Sequence, residues 1–95
     1  MLTSKDRATL RGIASKEDTI LQIGKSGIGD AVVKQAADAI AKREIIKGRV
    51  LENSLLSARE AADSLARDLD AEVVQVIGTK FVLYKKNKEH PVLEW

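Results

Sequence analysis

Two β-branched apolar runs, "TILQI" at Thr19–Ile23 and "IIKGRVL" at Ile45–Leu51, stand either side of "DAVVKQAADAIAKRE", Asp30–Glu44, whose apolar residues recur at helical spacing. In that helix Val32, Ala36, Ala39 and Ile40 fall on one face, and Lys34, Asp38 and Lys42 on the other. A strand that reaches the next strand through a helix favours parallel pairing with a right-handed crossover, the hand in which twisted strand and helix pack back together. One such unit commits a short chain to helices layered on a sheet.

The remaining segments extend this unit. Thr3 or Ser4 can cap a first helix to about Ala14, with Leu10, Ile13 and Ala14 on a buried face and Arg7 and Arg11 on another. Ser57 with Glu60 three residues on forms a capping box for a third helix, striped by Ala58, Ala61, Ala62, Leu65 and Leu69. Two strand-like runs, Glu72–Ile77 and Lys80–Lys85, then flank Gly78-Thr79. Glycine first in a two-residue loop suits a type II′ hairpin, which is antiparallel. The expected order is α-β-α-β-α-β-β, an α/β domain with three helices on a four-stranded mixed sheet, over residues 1–86. Residues 87–95, polar with one proline, read as a loosely held tail.

At 95 residues there is room for one core, which buries roughly 60–65% of the surface that the unfolded chain exposes. With no cysteine the chain has no disulfide, thiolate metal site or thiol nucleophile. No apolar run approaches the roughly 20 residues of a membrane span, and the charged start "MLTSKDRATLRG" is unlike a secretion signal. These features suit a cytoplasmic protein with no membrane partner. The net charge of +2 conceals a division: residues 1–50 carry ten Lys/Arg against six Asp/Glu, residues 51–78 two against six, and residues 79–95 four against two. The basic portions would attract a polyanion.

Between the first strand and the second helix lies "GKSGIG", Gly24–Gly29. A P-loop would need glycine at position 19, which is threonine, and the glycine spacing is the reverse of the dinucleotide fingerprint. What remains is G-x-x-G, Gly24-Lys25-Ser26-Gly27. Glycine lets a phosphodiester approach the backbone and permits the φ > 0 geometry in which amides converge on an anion. Lys25 and Ser26 add a charge and a hydroxyl, and the following helix presents its positive end. The same residues would also serve as a plain hinge, and Asp30 in the first helical turn opposes an incoming phosphate.

Four separated stretches, "LTSKDRATLRGIA", "LQIGKSGI", "REIIKGRV" and "VVQVIGTKFVLYK", in this order, resemble the YhbY-type RNA-binding proteins of the chloroplast RNA splicing and ribosome maturation (CRM) domain family. The resemblance spans Leu2 to about Lys86. It implies a fold similar to the C-terminal domain of translation initiation factor 3, an RNA-contacting G-x-x-G loop, and association with ribosomal RNA in precursors of the large ribosomal subunit. Two positions depart from the pattern. Gly29 stands where relatives carry a hydroxyl cap, and Gly48 replaces an apolar strand residue, which would weaken that strand or mark a bulge.

The RNA-binding set expected from loop, charge and resemblance is Gly24, Lys25, Ser26, Gly27, Lys34, Arg7, Arg11 and Lys47. Arg49 shares a sheet face with Lys47 by parity, where solvated charges are the competing reading. Phe81 and Tyr84 fall on opposite faces of one strand, so one could be core and the other exposed, although a structural role for both is favoured. His90 has no catalytic or metal-binding companions, and Glu60, Asp63, Asp68 and Asp70 read as a solvated face. The chain is therefore read as a non-enzymatic RNA-binding domain with no cofactor, metal or small-molecule substrate. The alternative is a protein-interaction module on the ribosome, using the acidic helix or the sheet.

Overall fold

The computed structural model describes residues 2–89, in which the order is α1 (Ser4–Ala14), β1 (Thr19–Ile23), α2 (Asp30–Arg43), β2 (Ile45–Val50), α3 (Ala58–Leu69), β3 (Glu72–Ile77) and β4 (Lys80–Tyr84). Local chemistry accounts for most of these bounds. Thr3 caps α1 through a reciprocal box with Asp6, each backbone N–H donating to the other's side chain at 3.0 Å. The Ser57–Glu60 box opens α3 in the same way, at 3.0 and 3.1 Å. Its bond from the Ser57 backbone, then that from the Ser57 hydroxyl, holds the Glu60 carboxyl below the usual carboxylate range. Asp70 ends α3 in the left-handed region, φ 55°, a conformation that aspartate tolerates better than most residues.

The strands run in the order β1-β2-β4-β3, with β1 parallel to β2 and the other two pairs antiparallel. The parallel β1–β2 pairing and the antiparallel hairpin are as the spacing predicts. Gly78 has φ 57° and Thr79 does not share that sign, which fits a type II′ turn, and Ile77 faces Lys80 across it. Not legible beforehand is that β4 inserts between β2 and β3, so the α3 crossover steps over one strand. Both edge strands are irregular, β1 between Thr19 and Leu21 and β3 between Val73 and Gln75. Such bulges discourage pairing with a further strand.

α2 and α3 pack on one face of the sheet and α1 on the other, so two apolar clusters form. The first joins Leu21, Ile23, Ala36, Ile40, Ile46, Leu65, Phe81 and Leu83, and the second Leu10, Ala14, Ile45, Val74, Val82 and Tyr84. Phe81 and Tyr84 lie on opposite faces, as parity requires, and both are buried because both faces are covered there. Gly48 is a packing requirement. It faces Phe81 in register, and a Cβ built on it would lie 2.4 Å from Phe81 Cζ. β2 itself runs without interruption against β4; the extra residue beside Gly48 belongs to β1.

The start of the expected loose tail is anchored. Asn87 N–H donates to the Glu44 carboxylate at 2.8 Å, Asn87 Nδ2 donates to the Ala41 carbonyl at 2.9 Å, and Lys85 N–H donates to the Glu44 carbonyl at 2.9 Å. Glu44, only 1% exposed and with φ 64°, closes α2 and ties the end of β4 to it. Every buried side-chain nitrogen and oxygen among the described residues has a hydrogen-bond partner. His90, Pro91 and Trp95 lie outside the described residues.

Candidate nucleic-acid interface

Gly24 to Gly27 form a closed turn, with Gly27 N–H donating to the Gly24 carbonyl at 3.0 Å. Neither Lys25 nor Ser26 has positive φ, which fits a type I turn, whose preferred fourth residue is glycine. Gly27 has φ 70° with open space around a would-be Cβ, so conformation and not crowding demands glycine there. At Gly24 a Cβ would meet Asn53 Oδ1 at 3.5 Å and Leu51 Cδ1 at 3.6 Å, ordinary contacts on the protein's own side. Lys25 and Ser26 are exposed residues, and no hydrogen bond takes up their amides among the described residues.

Downstream, α2 opens differently from its sister helices. Gly29 makes no side-chain cap, and the first bond is Val33 N–H to the Gly29 carbonyl at 3.1 Å. The first-turn amides therefore lack a side-chain acceptor, and the fourteen-residue helix directs its positive end to the same place. Asp30 is exposed in that turn and counteracts part of this potential.

The expected basic residues divide between the two sides of the sheet. Lys34 is exposed in the second turn of α2. Lys47 and Arg11 meet on the α1 side, where they line one small cleft with Gln75 and Lys80. Arg7 lines a groove along edge strand β3 together with Arg11, Arg59 and Glu72. No member of the set is in an ion pair among the described residues, the single pair there being Arg59–Asp63 at 3.6 Å on α3. Glu60, Asp63, Asp68 and Asp70 are exposed. Lys80 escaped the sequence reading. Hairpin parity placed it opposite Ile77, but its neighbour on the other side depended on β4 lying beside β2.

Among the described residues no group of three or more His, Cys, Asp or Glu could hold a metal, and no helix is long and apolar enough to cross a membrane. The turn, the uncapped start of α2 and the basic side chains are all carried on one small α/β scaffold. The chain belongs to the CRS1/YhbY (CRM) domain family, whose model matches residues 2–85. It is 39% identical to the probable RNA-binding protein YqeI of Bacillus subtilis over 94 residues, covering 99% of this chain and 98% of that one. A probable RNA-binding protein of Methanocaldococcus jannaschii is 34% identical over 86 residues, 88% of this chain and 63% of that protein. The solution structure of the hypothetical protein SAV1595 of Staphylococcus aureus, described as a candidate RNA binder, superposes with a TM-score of 0.71 at 40% identity. That match covers 99% of this chain and 98% of the other.

Proposed function

We propose that this chain is a cytoplasmic, non-enzymatic RNA-binding protein that engages ribosomal RNA in precursors of the large ribosomal subunit. The turn Gly24–Gly27 grips the sugar–phosphate backbone. The carrying observation is the turn itself: the Lys25 and Ser26 amides are unpartnered, Gly27 holds φ 70°, and the uncapped start of α2 follows two residues later. Lys25, within the turn, supplies its own charge; Lys34 follows in the second turn of α2, and Arg11, Lys47 and Arg7 line the clefts beside α1. Phe81 and Tyr84 are buried, so no aromatic side chain is exposed for base stacking among the described residues. Recognition therefore rests on backbone and shape. The family membership and the RNA-binding names of its relatives support the same reading.

The test is affinity for a structured ribosomal RNA fragment at two salt concentrations, with Gly27→Asp as the variant. Binding should weaken steeply with salt, because each neutralised phosphate releases counterions. Aspartate is among the residues that tolerate φ > 0, and the space at Gly27 is open, so this variant should fold yet lose binding through its added carboxylate. Undiminished affinity in a folded Gly27→Asp protein refutes the loop assignment. Sedimentation with large-subunit precursors in cell lysate tests the ribosomal part.

A further inference from the structure

The eleven-residue α1 is about 16 Å long and covers only part of its sheet face. Register shows what it leaves open. Gln22 pairs with Arg49, Arg49 with Lys80, and Lys80 with Ile77, so one row crosses all four strands at the end where β1 enters the glycine turn. Parity puts the row on the α1 face, since Gly48 and Phe81, one position away, face the other cluster. Gln22, Arg49 and Lys80 are exposed, and Ile77 is 64% exposed.

Arg49 and Lys80 stand directly opposite each other. Val50 N–H donates to the Thr79 carbonyl and Lys85 N–H to the Glu44 carbonyl, so the alternation makes Arg49–Lys80 a non-hydrogen-bonded pair. In such pairs the side chains approach most closely, with Cβ atoms about 4.5–5.5 Å apart, and like charges there repel. No acid forms an ion pair with either residue among the described residues. Beside this pair, between the last turn of α1 and the sheet, is a cleft of about 170 Å³ lined by Arg11, Lys47, Gln75, Ile77 and Lys80, with no carboxylate in its wall. Its volume falls below the roughly 300 Å³ at which small-molecule sites begin, which suits one phosphate group and not a nucleotide cofactor.

We propose that this cleft and the adjoining Arg49–Lys80 pair form a second phosphodiester-binding position, occupied by the RNA strand that the glycine turn holds as it continues round the end of the sheet. The proposal rests on the RNA-binding reading above. It adds a site on the opposite side of the sheet from α2 and makes the RNA footprint longer than the turn alone. The uncompensated cation pair destabilises the free protein and is relieved when a phosphate lies between its members.

Lys80→Glu tests this, because it turns a repulsive pair into an attractive one. The variant should melt higher than the parent at low salt while its affinity for a fluorescein-labelled ribosomal RNA fragment falls by roughly tenfold or more. Arg49→Gln should lower the salt slope by about 1. Loss of affinity with a raised melting temperature cannot come from unfolding. Unchanged affinity and slope in both variants would overturn the second position, whatever Gly27→Asp does. If Lys80→Glu weakens binding and Gly27→Asp does not, the turn assignment falls and this one stands. A parent protein with no salt-dependent RNA affinity removes both. Inorganic phosphate raising the melting temperature at constant ionic strength would reassign the cleft to a free anion and likewise overturn the proposal.

Discussion

Replacing Gly48 with alanine asks whether a strand glycine can be essential for packing. The new Cβ would lie 2.4, 2.7 and 3.0 Å from three carbons of the Phe81 ring, Cζ, Cε2 and Cε1. Carbon contacts settle near 3.5–4.0 Å, so ring and strand must separate by about 1 Å. The ring is buried among Leu21, Ile46 and Leu83 in the larger cluster, where close packing offers little room for retreat. Overpacking of this kind costs about 1–3 kcal/mol, while removing a glycine from a strand returns about 0.5–1 kcal/mol. A net loss of about 1–2 kcal/mol should lower the melting temperature by roughly 5–15 °C in a domain of this size. Urea denaturation followed by circular dichroism measures it, and an unchanged m-value would show that only stability moved. Adding Phe81→Leu to Gly48→Ala should restore part of the loss, with a coupling energy of about 1 kcal/mol. A Gly48→Ala protein as stable as its parent, or a double variant that is simply additive, would refute the steric account.

Glu44→Ala removes the acceptor of the Asn87 amide, which should cost about 1–3 kcal/mol, and Glu44→Gln, which keeps an acceptor oxygen, should cost less; thermal melts compare the two. Gly29→Ser has open space for its side chain and extended backbone at φ −97°, so it should cap α2 and stabilise the fold by a few tenths of a kcal/mol in denaturant titration. Because the Glu60 carboxyl titrates below its unfolded value, its contribution is complete above the ordinary glutamate range and fades as pH falls through the folded value. Glu60→Gln keeps an acceptor for Ser57 N–H, so its melting temperature should fall less steeply on acidification than that of the parent.

The candidate site was only partly legible in the chain. The glycine turn, Lys25 and the bare start of α2 are contiguous, so spacing alone exposes them. Arg11 and Lys47 could be named as basic residues on exposed faces, but nothing local said that they share a cleft with Lys80. Arg7 and Arg11, one helical turn apart, both line the groove along β3, and only Arg11 also reaches the cleft with Lys47.

The element order, both capping boxes, the crossover and the hairpin turn are determined by residues within a few positions of one another, or by one periodic stretch. Such features are present in the sequence itself. Tertiary structure alone decided that β4 inserts beside β2. From that one pairing follow the Gly48–Phe81 contact and the Arg49–Lys80 opposition, joining residues 33 and 31 positions apart. The Glu44–Asn87 anchor spans 43 positions and follows from the same neighbourhood. The packing of α1 against the remaining face decided that Tyr84 is core, as Phe81 is on the opposite side. Contacts across such separations depend on which arrangement of the whole sheet buries both apolar faces at once, and no local stretch carries that information.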